Sequence, residues 1–270
     1  MKKTYQESQE LCLSDSGDMA RLLEIMRRLR DPKGGCPWDI EQTYDTIAPY
    51  TIEEAYEVAD AIAQKDYSAL EGELGDLLLQ SVYHADIGRD LGHFDFASIV
   101  RSISDKMVAR HPHVFGDESG DKTAEQQTRD WEKMKAAERG TARTLDGVAV
   151  NLPALTRAIK LQKRAARVGF DWPSTDEVLD KIVEEAGELR DAPKEEQFEE
   201  FGDLLFVVAN LARHLKIDAE EALRAANRKF TRRFERIEDF LSEARKTPAD
   251  SDLEEMDALW DRAKAEEKAR

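Results

Sequence analysis

The sequence predicts an all-α protein built from two tandem helical bundles. Its 270 residues give room for two domains of ordinary size, each long enough to bury a core. Charged residues make up 36% of the chain and apolar ones 41%, with only 14 Gly and 8 Pro to interrupt them. That balance favours amphipathic helices over a sandwich or barrel rich in turns. The same landmarks also recur in the same order in the two halves, which reads as a duplicated domain.

Residues 1–18 are polar and lack a sustained apolar period, so a frayed arm is expected there, with Met19 an alternative start. The first domain is placed at 19–139. Leu22, Leu23, Ile25, Met26 and Leu29 form an apolar stripe that ends at Asp31-Pro32-Lys33-Gly34-Gly35. A second helix is expected to start after Pro49 and carry Ile52 and Ile62, followed by helices over about 70–87 and 96–109. Residues 111–121 read as a loop and 130–138 as a further helical piece. A linker at 140–153 precedes the second domain, 154–270.

In that second domain a basic helix over 155–168 leads to Gly169-Phe170-Asp171-Trp172, as the first helix leads to Cys36-Pro37-Trp38-Asp39. Next, Glu184-Glu185-Ala186-Gly187-Glu188 answers Glu53-Glu54-Ala55-Tyr56-Glu57, and Glu200-Phe201-Gly202-Asp203 answers Glu73-Leu74-Gly75-Asp76. Lys229 and Arg233 then answer Lys106 and Arg110, and Trp260 with Lys264 answers Trp131 with Lys135.

The formal charge of −17 argues against a protein that tracks phosphates along a nucleic acid, which needs a clustered basic surface. An anionic substrate would therefore need bound cations. Cys12 and Cys36 are too few for a disulfide framework and too poorly placed for a zinc site, which points to a reducing cytoplasm. No stretch approaches the roughly 20 apolar residues of a membrane span, so no membrane is expected as a partner.

Each half carries Glu-Glu-x-x-Glu on one helix and Glu-x-x-Asp on the next. At about 100° per residue, Glu53, Glu54 and Glu57 share one sector, and Glu73 and Asp76 lie about 60° apart. Antiparallel packing of the two helices would bring four or five carboxylates together, as hard divalent cations require. A solvated acidic face is the alternative for the first helix alone. The second helix weighs against it: Glu200 and Asp203 sit among Phe201, Leu204, Leu205, Phe206, Val207, Val208 and Leu211, apolar nearly all round. Such a helix is expected to be buried, and buried carboxylates need a cation or a strong donor. A Glu-x-x-His pair for di-iron, a Walker glycine loop, a Gly-x-Ser-x-Gly elbow and a Cys/His zinc pattern are all missing from the sequence.

At these residues the chain resembles the MazG nucleotide pyrophosphohydrolases of the all-alpha NTP pyrophosphatase superfamily. The likeness runs from Met19 onward: Gly34-Gly35-Cys36-Pro37-Trp38-Asp39, both carboxylate pairs, Arg110-His111-Pro112-His113-Val114-Phe115-Gly116, and the basic run that ends at Trp172. The resemblance implies Mg²⁺-dependent hydrolysis, with Mn²⁺ a possible substitute, of a nucleoside triphosphate to the monophosphate and pyrophosphate. It implies intertwined dimers of MazG-like helical domains. Its metal ligands match Glu185, Glu188, Glu200 and Asp203, with Glu54, Glu57, Glu73 and Asp76 their counterparts. Its nucleotide contacts match Lys181, Lys229, Arg232, Arg233 and Trp260.

Two departures separate the halves. Glu188 and Glu200 are 12 apart where Glu57 and Glu73 are 16 apart, so the loop between the motif helices is expected to be shorter in the second half. Tyr50 also stands in the first half where the second has Lys181, which makes the second half the expected catalyst. There Glu185 binds metal, and the adjacent Glu184 is the candidate base that orients water. Lys229, Arg232 and Arg233 are assigned to the triphosphate. Trp260, read as having few neighbours, is assigned to stacking on any base, which implies broad base specificity and a role in cleaning the nucleotide pool. A homodimer is expected from the surplus of apolar helix faces. The alternative to an enzyme is a regulatory helical module that binds nucleotide and metal without turnover.

Overall fold

The computed structural model describes residues 4–117 and 143–269, together with 123, 124, 126, 127, 130, 131 and 134. Among them every regular element is helical. No helix is long and apolar enough to cross a membrane. The chain divides into two units, Met1–Glu138 and Arg139–Arg270.

The first unit starts with a helix where an arm was expected. Helix α1, Tyr5–Leu13, forms because Thr4 and Glu7 close a capping box, with the Glu7 amide 3.2 Å from the Thr4 hydroxyl and the Thr4 amide 2.7 Å from the Glu7 carboxylate. It is held on α2, Met19–Leu29, by polar groups: the Ser8 hydroxyl donates to buried Glu24, Arg28 donates to Gln9, and the Arg28 guanidinium lies 4.7 Å from the Tyr5 ring. A polar segment without an apolar period therefore docks through side-chain hydrogen bonds.

Past α2, buried Arg30 donates to the carbonyls of Asp39 (2.7 Å) and Gln42 (3.3 Å), which fixes the short α3, Pro37–Glu41. Helix α4, Tyr44–Gln64, starts before Pro49 and not after it. The Thr43 and Thr46 capping box sets its first turn and buried Ile47 anchors it, so Pro49 lies inside the helix near its start. Only one backbone bond is lost by that placement. Helix α5, Tyr67–Leu91, returns along α4, and Met26, Ile47, Val82, Tyr83 and Ile87 make the core between α2, α4 and α5. Helix α6, Phe96–Arg110, and the single turn α7, Pro112–Phe115, follow; α7 falls inside the segment expected as loop. Most of the helical piece expected at 130–138 lies outside the described residues; Asp130, Trp131 and Met134 are helical.

The second unit holds α8, Ala154–Ala166, α9, Thr175–Asp191, α10, Gln197–His214, α11, Ala219–Glu243, and α12, Leu253–Ala269. Gly169, at φ +87°, lets the chain leave α8 as the Phe170 amide closes on the Ala165 carbonyl (3.1 Å). Helices α9 and α10 form a hairpin, and α8 lies on α10, where buried Gln162 donates to the Phe206 carbonyl (2.8 Å). Helices α11 and α12 form a second hairpin around Ile237, Phe240, Leu241 and Ala263.

The burial expected for α10 is not met within one chain. Phe198 is 93% exposed and Phe201 52%, and Leu205, Phe206 and Val208 are also exposed. Ile52, Tyr56, Leu74 and Leu78 are left open in the same way on the α4/α5 hairpin. Apolar periodicity reports that a face is covered by something, and a single bundle covers only part of α10.

Candidate metal centre

The α9/α10 hairpin sets the geometry of the second unit's acidic cluster. Glu185 projects from the middle of α9, while Glu200 and Asp203, three residues apart, share one face of α10. One carboxylate oxygen from each of Glu185, Glu200 and Asp203 lies within 4.8 Å of the others. Partial burial, and then the charges of Glu188, Asp203 and Glu185, raise the Glu200 carboxyl above its usual range. Glu188 thus stands outside the tight trio but inside its field.

Lys181, one turn before Glu185, places its ammonium 2.8 Å from Glu185 and 2.7 Å from Glu184. The hydrogen bonds to Glu184 and Glu185 raise its pKa, so it stays charged. Glu185 is buried, Glu184 is largely exposed, and Asp203 is exposed. The premise that both α10 carboxylates are buried is therefore corrected. Their convergence under mutual repulsion, not enclosure in apolar surroundings, marks the cluster.

The first unit assembles Glu54, Glu57 and Glu73 within the same 4.8 Å. Partial burial raises Glu54, followed by the charges of Asp76 and Glu57; burial, Glu57 and Asp76 raise Glu73. Here Asp76 takes the outer place that Glu188 has in the other unit. A residue that the motifs did not flag, buried Gln80, directs its amide nitrogen at Glu54 (3.5 Å), where the second unit has Val207. Its signal in the sequence is a polar residue seven after Glu73, on an otherwise apolar stripe. Tyr50 meets Trp38 edge-on at 6.3 Å, so no cation faces this cluster from that position.

The shorter spacing in the second unit comes from its helices and not from its loop. Helix α4 runs on from Glu57 to Gln64 and α5 begins at Tyr67, whereas α9 stops at Asp191 and α10 begins at Gln197. The expected short loop is thus a longer one between shorter arms. It keeps the carboxylates facing because both arms lose about one turn.

The nucleotide candidates group on α11 and α12. Arg232 and Arg233 both pair with Glu267, at 2.7 and 2.8 Å, and the Arg233 guanidinium lies 5.4 Å from the Trp260 ring. Phe230 packs on Trp260 at 5.4 Å. The expectation that Trp260 has few neighbours is therefore corrected. Lys229 is exposed. Arg110 lies over Trp131 at 5.0 Å in the first unit, so both units contain the same cation–π pair at matching positions.

All donors in both clusters are carboxylate oxygens, and three protein ligands leave positions for water and phosphate, so the residues suit Mg²⁺ or Mn²⁺. Two helical hairpins, each presenting such a cluster, define an all-helical class of proteins with paired carboxylate sites. The MazG nucleotide pyrophosphohydrolase domain matches residues 42–115 and 174–237, and the chain belongs to that family. The nucleoside triphosphate pyrophosphohydrolase of Escherichia coli K12 is 50% identical over 258 residues, 92% of this chain and 97% of its own. The nucleoside triphosphate pyrophosphohydrolase/pyrophosphatase MazG of Thermotoga maritima is 42% identical over 247 residues, 90% of this chain and 94% of its own. The nucleoside triphosphate pyrophosphohydrolase of Mycobacterium tuberculosis is 34% identical over 158 residues, 58% of this chain and 48% of its own.

Proposed function

We propose that this chain hydrolyses nucleoside triphosphates to the monophosphate and pyrophosphate with Mg²⁺, accepts a range of bases, and does so mainly in its second unit. The carrying observation is the convergence of Glu185, Glu200 and Asp203 beside Lys181. Bound Mg²⁺ supplies charge neutralisation on the phosphates and lowers the pKa of a coordinated water. Glu185, Glu200 and Asp203, with Glu188 beside them, would hold it. Glu184, exposed at the rim, orients the water as a base.

Lys181 has two roles in this reading. It offsets the charge of Glu185, and with a cation held by the carboxylates its ammonium would be placed for a phosphate oxygen. Arg232 and Arg233 exchange Glu267 for the triphosphate in the same way, and Lys229 adds a third cation. Trp260, already backed by Phe230 and Arg233, offers a stacking surface that does not discriminate between bases. Incubation with each nucleoside triphosphate and Mg²⁺, resolved by ion-exchange chromatography, should yield monophosphate and pyrophosphate. A diphosphate with orthophosphate would overturn the assignment, and no turnover would favour a binding module.

The exposed apolar residues on both acidic hairpins support a homodimer, since a second copy would cover faces that one chain leaves open. Light scattering should give about twice the 30.7 kDa of the chain. A monomer at micromolar concentration would contradict this.

The acidic clusters also predict how stability follows pH. Glu54, Glu73 and Glu200 have carboxyls raised in the folded state, so the metal-free fold binds more protons than the unfolded chain between the ordinary and the raised pKa. Stability should rise as pH falls through that window and fall as pH rises out of it. Mg²⁺ competes with those protons for the same carboxylates, so in Mg²⁺ the trend should reverse, with a stabilisation of roughly 2.7 kcal/mol at 100 times its Kd that shrinks as pH falls. Thermal melts from pH 7 to 4.5, with EDTA or with Mg²⁺, check both effects.

A further inference from the structure

Helix α8 carries Thr156, Ile159, Lys160 and Lys163 at the i, i+3, i+4, i+7 spacing that normally packs against a neighbour. Here that face opens on a cavity of about 460 Å³, closed on the far side by Arg213 and Lys216 at the end of α10 and by Ile217 and Asp218. Four cations therefore line a single depression in a chain whose formal charge is −17.

The nearby acids are already engaged. Asp218 caps α11 through the Glu221 amide (3.0 Å), and Glu220 accepts from the Thr156 amide (3.4 Å). Arg213 is held by Asp171 and by Asn210 (2.8 Å), which fixes its guanidinium as part of the wall. Among the described residues, Lys160, Lys163 and Lys216 pair with no carboxylate, although 57 acidic residues are available in the chain. The amino end of α11, which begins at Ala219, adds its positive dipole end at the same place. Asp203 and Arg213 are ten residues apart on α10, about 15 Å along its axis, so this cavity is separate from the metal centre.

We propose that this cavity is a second anion site, which binds a polyphosphate chain without metal and outside the metal centre. The class follows from the number of cations and the size of the cavity. Three free ammonium groups around a cavity of this size match an anion carrying three or four charges over two or more phosphoryl groups better than they match a single phosphate. Pyrophosphate and the tail of a nucleoside triphosphate share that chemistry.

The test is calorimetric titration of the full chain in EDTA, where the metal centre holds no cation. The probes are orthophosphate, pyrophosphate and the α,β-methylene analogue of ATP. Pyrophosphate should bind wild type and Asp203→Ala alike, whereas the triple variant Lys160→Gln, Lys163→Gln, Lys216→Gln should bind at least about tenfold more weakly. Replacement of the same three residues by Arg should restore binding and show that charge, not folding, was lost. Mn²⁺ titration of the Gln variant should match wild type. An analogue that binds more tightly than pyrophosphate, and loses that binding in the Gln variant, identifies a nucleotide as the ligand; equal binding identifies the polyphosphate chain alone. The proposal is overturned if wild type does not bind pyrophosphate, if the Gln variant binds it as wild type does, if Asp203→Ala abolishes binding, or if orthophosphate binds as tightly as pyrophosphate.

Discussion

Replacing Glu185 and Glu188 together by Gln should reduce pyrophosphate release by on the order of 100-fold or more, while the same change at Glu54 and Glu57 should leave most of it. Gln keeps the size of Glu but removes the charge that holds Mg²⁺. The asymmetry rests on one position. Lys181 pairs with Glu185 and stands ready for a triphosphate that brings at least three negative charges, whereas Tyr50 is turned against Trp38. Folding of both variants is confirmed by circular dichroism before the assay. If the Glu54 and Glu57 pair proves the more damaging, the ranking of the units is reversed and the metal-hydrolase reading stands.

The second large effect is on stability. Asp86→Ala should destabilise the first unit by about 1–3 kcal/mol, because it takes the buried carboxylate from Arg30 and leaves it only the more exposed Asp90, 3.3 Å away. Arg30 and Asp86 are both buried, and their side chains approach to 3.3 Å. Burial and then the charge of Asp90 raise the Asp86 carboxyl above its usual range, against the opposing charges of Arg89 and Arg30. Adding Arg30→Met to Asp86→Leu should recover only part of the loss, because the Asp39 and Gln42 carbonyls then lose their donor. Hydrogen exchange should show the loss of protection in α2, α3 and α5. Unchanged protection there would mean that solvent already screens the pair.

The sequence alone determined the all-helical class, the duplication and the acidic residues that face one another across each hairpin. These depend on helical period, which is local: about 100° per residue fixes which side chains share a face before any packing occurs. That is why Glu200 and Asp203 were legible as partners, and Glu54 and Glu57 as neighbours. Tertiary structure decided what the period does not encode. Helix α1 is docked on α2 because Ser8 and Gln9 find Glu24 and Arg28 there, contacts that leave no apolar pattern. Helix α4 runs through Pro49 because the Thr43 cap and buried Ile47 outweigh one missing backbone bond. The spacing of 12 against 16 gave the net length change, but only the packed hairpins show that it was taken from the arms and not from the loop. Lys181 on Glu185, Arg233 on Trp260 and Gln80 on Glu54 are likewise choices among partners. Long side chains can reach several partners from one backbone position, and only the folded surroundings select one.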